Sequence, residues 1–190
     1  MDEQLQGLIL ANILHRAAIT LANGKPNSEI EDSFVHNFIS NLFENVFQTE
    51  SILSTAWANG QLGGKRKNEE DEQSHFKPAY AVFVKQRSLR LDLSCAEAKS
   101  PVNTAIFPKS DLVKIGQEMK WMLNKIIREG VEMPVVGGVP ATGFNIMVQL
   151  SKASLFKNFQ GLVLLPNIVA NLLQLKNIPL LQQTRSKIVY

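Results

Sequence analysis

Residues 77–101 read KPAYAVFVKQRSLRLDLSCAEAKSP. Two runs, about 79–86 with Val82, Phe83 and Val84 and about 90–98 with Leu91, Leu93 and Cys95 at alternate positions, flank Arg87-Ser88, so the stretch predicts a β-hairpin with its tip near residue 88. Folding about that tip sets residue 79 opposite residue 97, with the neighbouring registers also open. Side chains alternate along a strand, so Glu97 and Lys99 share a face. Asp92 precedes Glu97 by an odd offset. It is therefore expected on the opposite face, roughly 16 Å away at about 3.3 Å per residue, unless a bulge intervenes. Cross-strand neighbours on one face have Cβ atoms roughly 5 Å apart, a spacing at which two carboxylates can share a divalent cation. The position opposite Glu97 holds Ala79, so one ligand of such a site is missing.

Outward from the hairpin, helices and strands alternate. Residues 4–22 carry apolar residues at helical spacing, and Asn23-Gly24 stops them. After the turn at Lys25-Pro26-Asn27, Ser28 and Glu31 form a capping-box pattern for a helix running to about Phe47. Its stripe is Phe34, Phe38, Leu42 and Val46. Residues 51–57 fit a short strand or a further helical turn. Residues 59–76, with three glycines, Lys65-Arg66-Lys67 and Glu69-Glu70-Asp71-Glu72, predict a solvated flexible loop with little to bury. The basic triplet is also a nuclear-targeting or phosphate pattern.

Beyond the hairpin, Ser110 caps a helix over 111–129 that Gly130 closes. Its expected core stripe is Leu112, Ile115, Met119, Met122, Leu123 and Ile126, with Lys114, Gln117, Trp121, Lys125 and Arg128 on the other side. Pro134–Val139 and Phe144–Leu150 predict a second hairpin, Gly161–Leu165 a strand, and 167–177 a terminal helix. Gly137, Gly138 and Gly143 match no phosphate loop and fit strand bends and a turn. The class is α/β or α+β, a mixed central sheet flanked by helices.

With 190 residues the chain is expected to form one domain, 1–190. Hydrophobic residues make up 45% and charged residues 19%, ordinary for a globular protein. No apolar run reaches a membrane span, so neither a transmembrane helix nor a membrane partner is expected. The opening MDEQ lacks the basic region of a secretory signal. Cys95 is the one cysteine, which excludes a disulfide framework and a cysteine-based zinc site and fits an intracellular setting, nuclear or cytoplasmic. Residues 1–76 carry 5 Lys/Arg against 11 Asp/Glu, and residues 77–190 carry 15 against 6. A basic second half suits a polyanion such as nucleic acid; a solvated basic surface is the plainer alternative.

Pro78, position 79 and Glu97-x-Lys99 at a strand end resemble the PD-(D/E)XK nuclease-like superfamily. The stretches EDSFVHNFISNLF, KPAYAVFV, CAEAKSP, DLVKIGQEMKWML and PVVGGVPATGFNIMVQL resemble a fungal group of such proteins, over about residues 29–150. The resemblance implies an αβββαβ restriction-endonuclease-like core at about 28–165, preceded here by an extra N-terminal helix. It implies Mg²⁺- or Mn²⁺-dependent cleavage of phosphodiesters, DNA first. Glu97 matches the second acid and Lys99 the lysine that orients the attacking water and neutralises charge. Glu31, or Glu29, matches the acid of the first core helix, so Glu97, position 79 and Glu31 form the implied metal set. Gln117 or Lys114 matches a polar residue of the following helix. Ala79 departs from the pattern: either the site has decayed or an aspartate has been replaced, and an inactive or impaired chain is expected.

Other residues point to less. His15, His36 and His75 have no metal-ligand spacing. Cys95 fits a small buried hydrophobe. Trp57 and Trp121 suit base stacking or packing. Three readings follow: a metal-dependent nuclease domain, a non-catalytic binding module on the same fold, and an α/β interaction protein in which Glu97 and Lys99 form a surface pair. A homodimer through the N-terminal helix is a further expectation.

Overall fold

The computed structural model describes residues 3–24, 35–57, 62, 76–86, 89–99, 109–131, 134–142, 145–148, 151–154 and 159–186. Helix α1 spans Glu3–Ala22, a π-helical turn at Val35–Ile39 leads into α2 (Ser40–Phe47), and strands β1 (Leu53–Trp57), β2 (Tyr80–Gln86) and β3 (Leu89–Lys99) follow. Then come α3 (Lys109–Arg128), β4 (Gly137–Thr142), β5 (Asn145–Val148), β6 (Ser151–Ser154), a 3₁₀ turn (Phe159–Leu164) and α4 (Leu165–Ser186). The six strands form one mixed sheet in chain order. All neighbours are antiparallel except β3 and β4, which are parallel and joined through α3.

Strand parity divides the sheet into two faces. On one, Tyr80, Ala96 and Val139 lie side by side. Tyr80 packs on Trp57 at 4.4 Å and on Phe43 of α2 at 5.0 Å between ring centroids. Gly137 lies on this face because a Cβ there would collide with Leu175 of α4. Helix α1 closes this layer with Ile9, Ile13 and Ala17 against α2 and α4. On the other face are Cys95 and Gly138. A Cβ on Gly138 would sit 2.5 Å from Met119 Sδ and 2.6 Å from Ile115 Cγ2, so α3 approaches the sheet there. The two glycines therefore lie within β4, one under each helix layer, rather than serving as bends.

A bulge corrects one expectation. Val82 pairs with Ser94, but Phe83 pairs with Asp92, so Leu93 is the extra residue. The slip returns Asp92 to the face of Cys95 and Glu97, about 13 Å along the strand at about 3.3 Å per step. There it is buried and paired with Arg90, Nη2 to Oδ1 at 2.6 Å. Asp92 is not turned away, but neither does it adjoin Glu97.

Other boundaries also move. Residues 53–57 are a strand. The expected strand at 161–165 is 3₁₀ turn and helix start, because an apolar run that short has no period to tell strand from helix. Strand β6, SKAS, carries no β-branched residue to announce it. Within 59–76, Leu62 is buried and its N–H donates to the Phe76 carbonyl at 3.2 Å, so these two residues join the core, and the rest of the expected loop lies outside the described residues. Glycines close two helices as expected: Gly24 and Gly130 have φ of +104° and +78°. By length and composition Glu3–Ala22 could cross a membrane, with a mean hydropathy of 1.3, contrary to the expectation of no such helix. Glu3 at its start and His15 and Arg16 within it are its ionisable side chains.

Candidate functional site

The outermost pair of the hairpin ladder is Tyr80–Ala96, so the register continued by one step sets position 79 beside position 97. Ala79 lies in the bend just before β2 and packs against the core. Glu97 is 7% exposed, on the inner strand β3, next to Pro140 of β4. Lys99 ends β3, and its side chain lies outside the described residues. Glu31 and Glu29 also lie outside them. Gln117 is exposed on α3.

The residue of α3 that reaches Glu97 is Lys114. Its Nζ donates to Glu97 Oε1 at 2.6 Å and lies 3.5 Å from the Lys77 carbonyl oxygen. One helical turn on, Glu118 is fully buried, with Oε1 3.9 Å from Lys114 Nζ. Neither Glu118 oxygen receives a hydrogen bond from a fixed donor. The carboxyl instead faces the Cys95 thiol and the Glu97 carboxyl, and a bond between two carboxyls requires one of them to carry a proton. Burial first, and then the charge of Glu97, push the Glu118 pKa up to about 7 against the pull of Lys114. Burial and the nearby Glu118 push the Cys95 thiol well up, which leaves it un-ionised and inert.

Among the described residues the result is a cluster of two carboxyls and one ammonium at the end of a buried strand, under the first turns of a helix. Among the described residues no group of three or more His, Cys, Asp or Glu could hold a metal ion. Glu118 went unnoticed in the sequence, although a signal was there. It follows Ile115 by three residues and precedes Met122 by four, an acid set inside an apolar stripe. His15 and His36 are exposed on α1 and the π-helical turn, and His75 lies outside the described residues. Comparison with protein-family models, curated proteins and solved structures finds no match to this chain.

Proposed function

We propose that the chain is a nuclease-like domain of the PD-(D/E)XK kind that engages nucleic acid, DNA first, at the Glu97 end of the β2–β3 hairpin. One observation carries the reading: position 79 continues the register beside a buried Glu97 whose carboxylate already holds an ammonium group. The element order supports it. Helix α2, strands β1 to β3, α3 and β4 follow an αβββαβ order, with β4 parallel to β3. Helix α1, β5, β6 and α4 are then additions to that core.

The donors suit Mg²⁺ or Mn²⁺, which take oxygen ligands and need only one or two carboxylates: Glu97 offers one, beside the buried carboxyl of Glu118. A cation there would polarise a phosphoryl oxygen and acidify a water. The chain's own residues supply the rest. Lys99 would orient that water, Lys114 places positive charge where negative charge develops, and the basic second half draws in the polyanion. Ala79 contributes no oxygen, so cleavage by the chain as written is weak.

The test is Ala79→Asp. It should create Mg²⁺- or Mn²⁺-dependent cleavage that Glu97→Ala or Lys99→Ala abolishes. If Ala79→Asp stays inert on single- and double-stranded DNA and RNA with either metal, the nuclease reading is wrong. The Lys114–Glu97 pair and Ala79 favour the second reading, a non-catalytic nucleic-acid or protein binding module. That reading gains if the unaltered chain binds DNA in a salt-sensitive way while Ala79→Asp remains inert.

A further inference from the structure

A buried carboxyl without a donor is costly, because the charged form loses its water and gains no bond in return. Glu118 is such a group, and a replacement by leucine or methionine would fit the apolar stripe around it. Its carboxyl and that of Glu97 both neighbour the Lys114 ammonium, and the β2–β3 register continued one step past Tyr80–Ala96 sets position 79 beside Glu97. Lys114 Nζ lies 2.6 Å from Glu97 Oε1 and 3.9 Å from Glu118 Oε1. The Lys114 side chain is 39% exposed, so its ammonium can withdraw to water without unfolding α3.

We propose that Glu118 supplies from the helix the acid missing at position 79, forming with Glu97 a two-carboxylate divalent-cation site in which the Lys114 ammonium is the resident cation that a metal ion must displace. The inference rests on reading Glu97 as a metal-site residue. It adds which second ligand the site uses and what regulates entry. Two carboxylates plus waters are a sufficient protein contribution for Mg²⁺ or Mn²⁺. The ammonium neutralises the pair when no metal is present. Entry of a divalent cation must break a charge-assisted hydrogen bond, which weakens apparent affinity and makes the site respond to anything that draws Lys114 away. A nucleic-acid phosphate reaching Lys114 is the natural candidate, since it offers the ammonium a new partner as it arrives.

Calorimetric titration of the folded chain with Mn²⁺, above the Glu118 pKa of about 7, tests this. Lys114→Met should tighten Mn²⁺ binding by roughly tenfold or more, the gain expected when no charge-assisted bond has to be broken. Adding Glu118→Gln to Lys114→Met should remove that gain. Should Lys114→Met prove poorly folded, the unaltered chain gives a second readout. Acylation of Lys114, followed by peptide mass mapping, should accelerate on adding Mg²⁺ and not on adding NaCl at equal ionic strength. The proposal is overturned if Lys114→Met binds Mn²⁺ no more tightly, if Glu118→Gln leaves its affinity unchanged, or if Lys114 acylation ignores Mg²⁺. Any of these would leave a carboxyl pair that merely shares a proton. Because binding is read and not cleavage, a chain that takes Mn²⁺ through Glu118 yet never cuts after Ala79→Asp would keep this inference and lose the nuclease reading.

Discussion

The two faces of the sheet are built on different terms. Under α1, α2 and α4 the interior is aromatic and aliphatic, with Tyr80 clasped by Phe43, Phe47 and Trp57. Between its helices Asn41 Nδ2 donates to the Ile13 carbonyl at 3.3 Å, and Lys176 reaches Thr49 Oγ1 at 2.8 Å and Glu50 Oε1 at 2.9 Å, although the buried Tyr80 hydroxyl has no hydrogen-bond partner among the described residues. Under α3, by contrast, the same strands turn Asp92, Cys95 and Glu97 inward, and the helix adds Glu118, whose nearest ammonium is 3.9 Å away. One face holds the fold together. The other spends stability to keep acids out of water, the usual mark of a site.

The sharpest way to break that contrast is Tyr80→Ala. Removing a fully buried aromatic from this cluster should cost about 3–5 kcal/mol in urea unfolding. A loss below about 1 kcal/mol would mean that the aromatic face is not where stability resides.

Glu118→Gln probes the other face and should act in the opposite direction. The Glu118 pKa is raised from 4.5 to about 7 in the folded chain. Below 4.5 the carboxyl is protonated in both states and the shift has no effect. Between 4.5 and about 7 the unfolded chain ionises while the folded chain keeps its proton, so stability falls as pH rises, by about 1.4 kcal/mol per unit. Above 7 the whole cost, on the order of 3 kcal/mol, is in place. Glu118→Gln cannot ionise, so it should flatten this slope and be more stable than the parent at pH 8. Parallel slopes for the two chains would show that Glu118 does not titrate as its burial implies.

How much of this the sequence disclosed depends on range. Counted from the Gln86–Leu89 pair at the tip, residue 78 rather than 79 would face 97 without the bulge, whereas the hairpin itself and the helix closed by Gly130 were legible because each rests on neighbours in the chain: alternation, a tip and a cap. The bulge at Leu93 was not, because an inserted residue leaves no mark in a run where Leu91, Leu93 and Cys95 already alternate with polar residues. Lys114 was visible as one of two polar candidates on α3. That it, and not Gln117, touches Glu97 depends on how the helix is rotated on the sheet. Glu118 was hidden by the assumption that acids face water.

That rotation leads to the smallest effect. On a wheel of about 100° per residue, the apolar residues of α3 centre between Ile115 and Met119. The observed buried set, Glu118, Met122, Ile115 and Ile126, centres roughly 40° away, toward Glu118. Leu112, on the trailing edge, is left 43% exposed, while Met119 and Leu123 are half-buried. The helix has turned an acid in and a leucine out. Leu112→Gln should therefore change stability by no more than about 0.5 kcal/mol, the range of ordinary surface substitutions. Met122→Ala, in the same stripe by sequence, should cost about 2–5 kcal/mol. If Leu112→Gln costs as much as Met122→Ala, α3 sits on its apolar stripe after all. Glu118 would then move toward water, and the acid-bearing face would lose the feature that sets it apart.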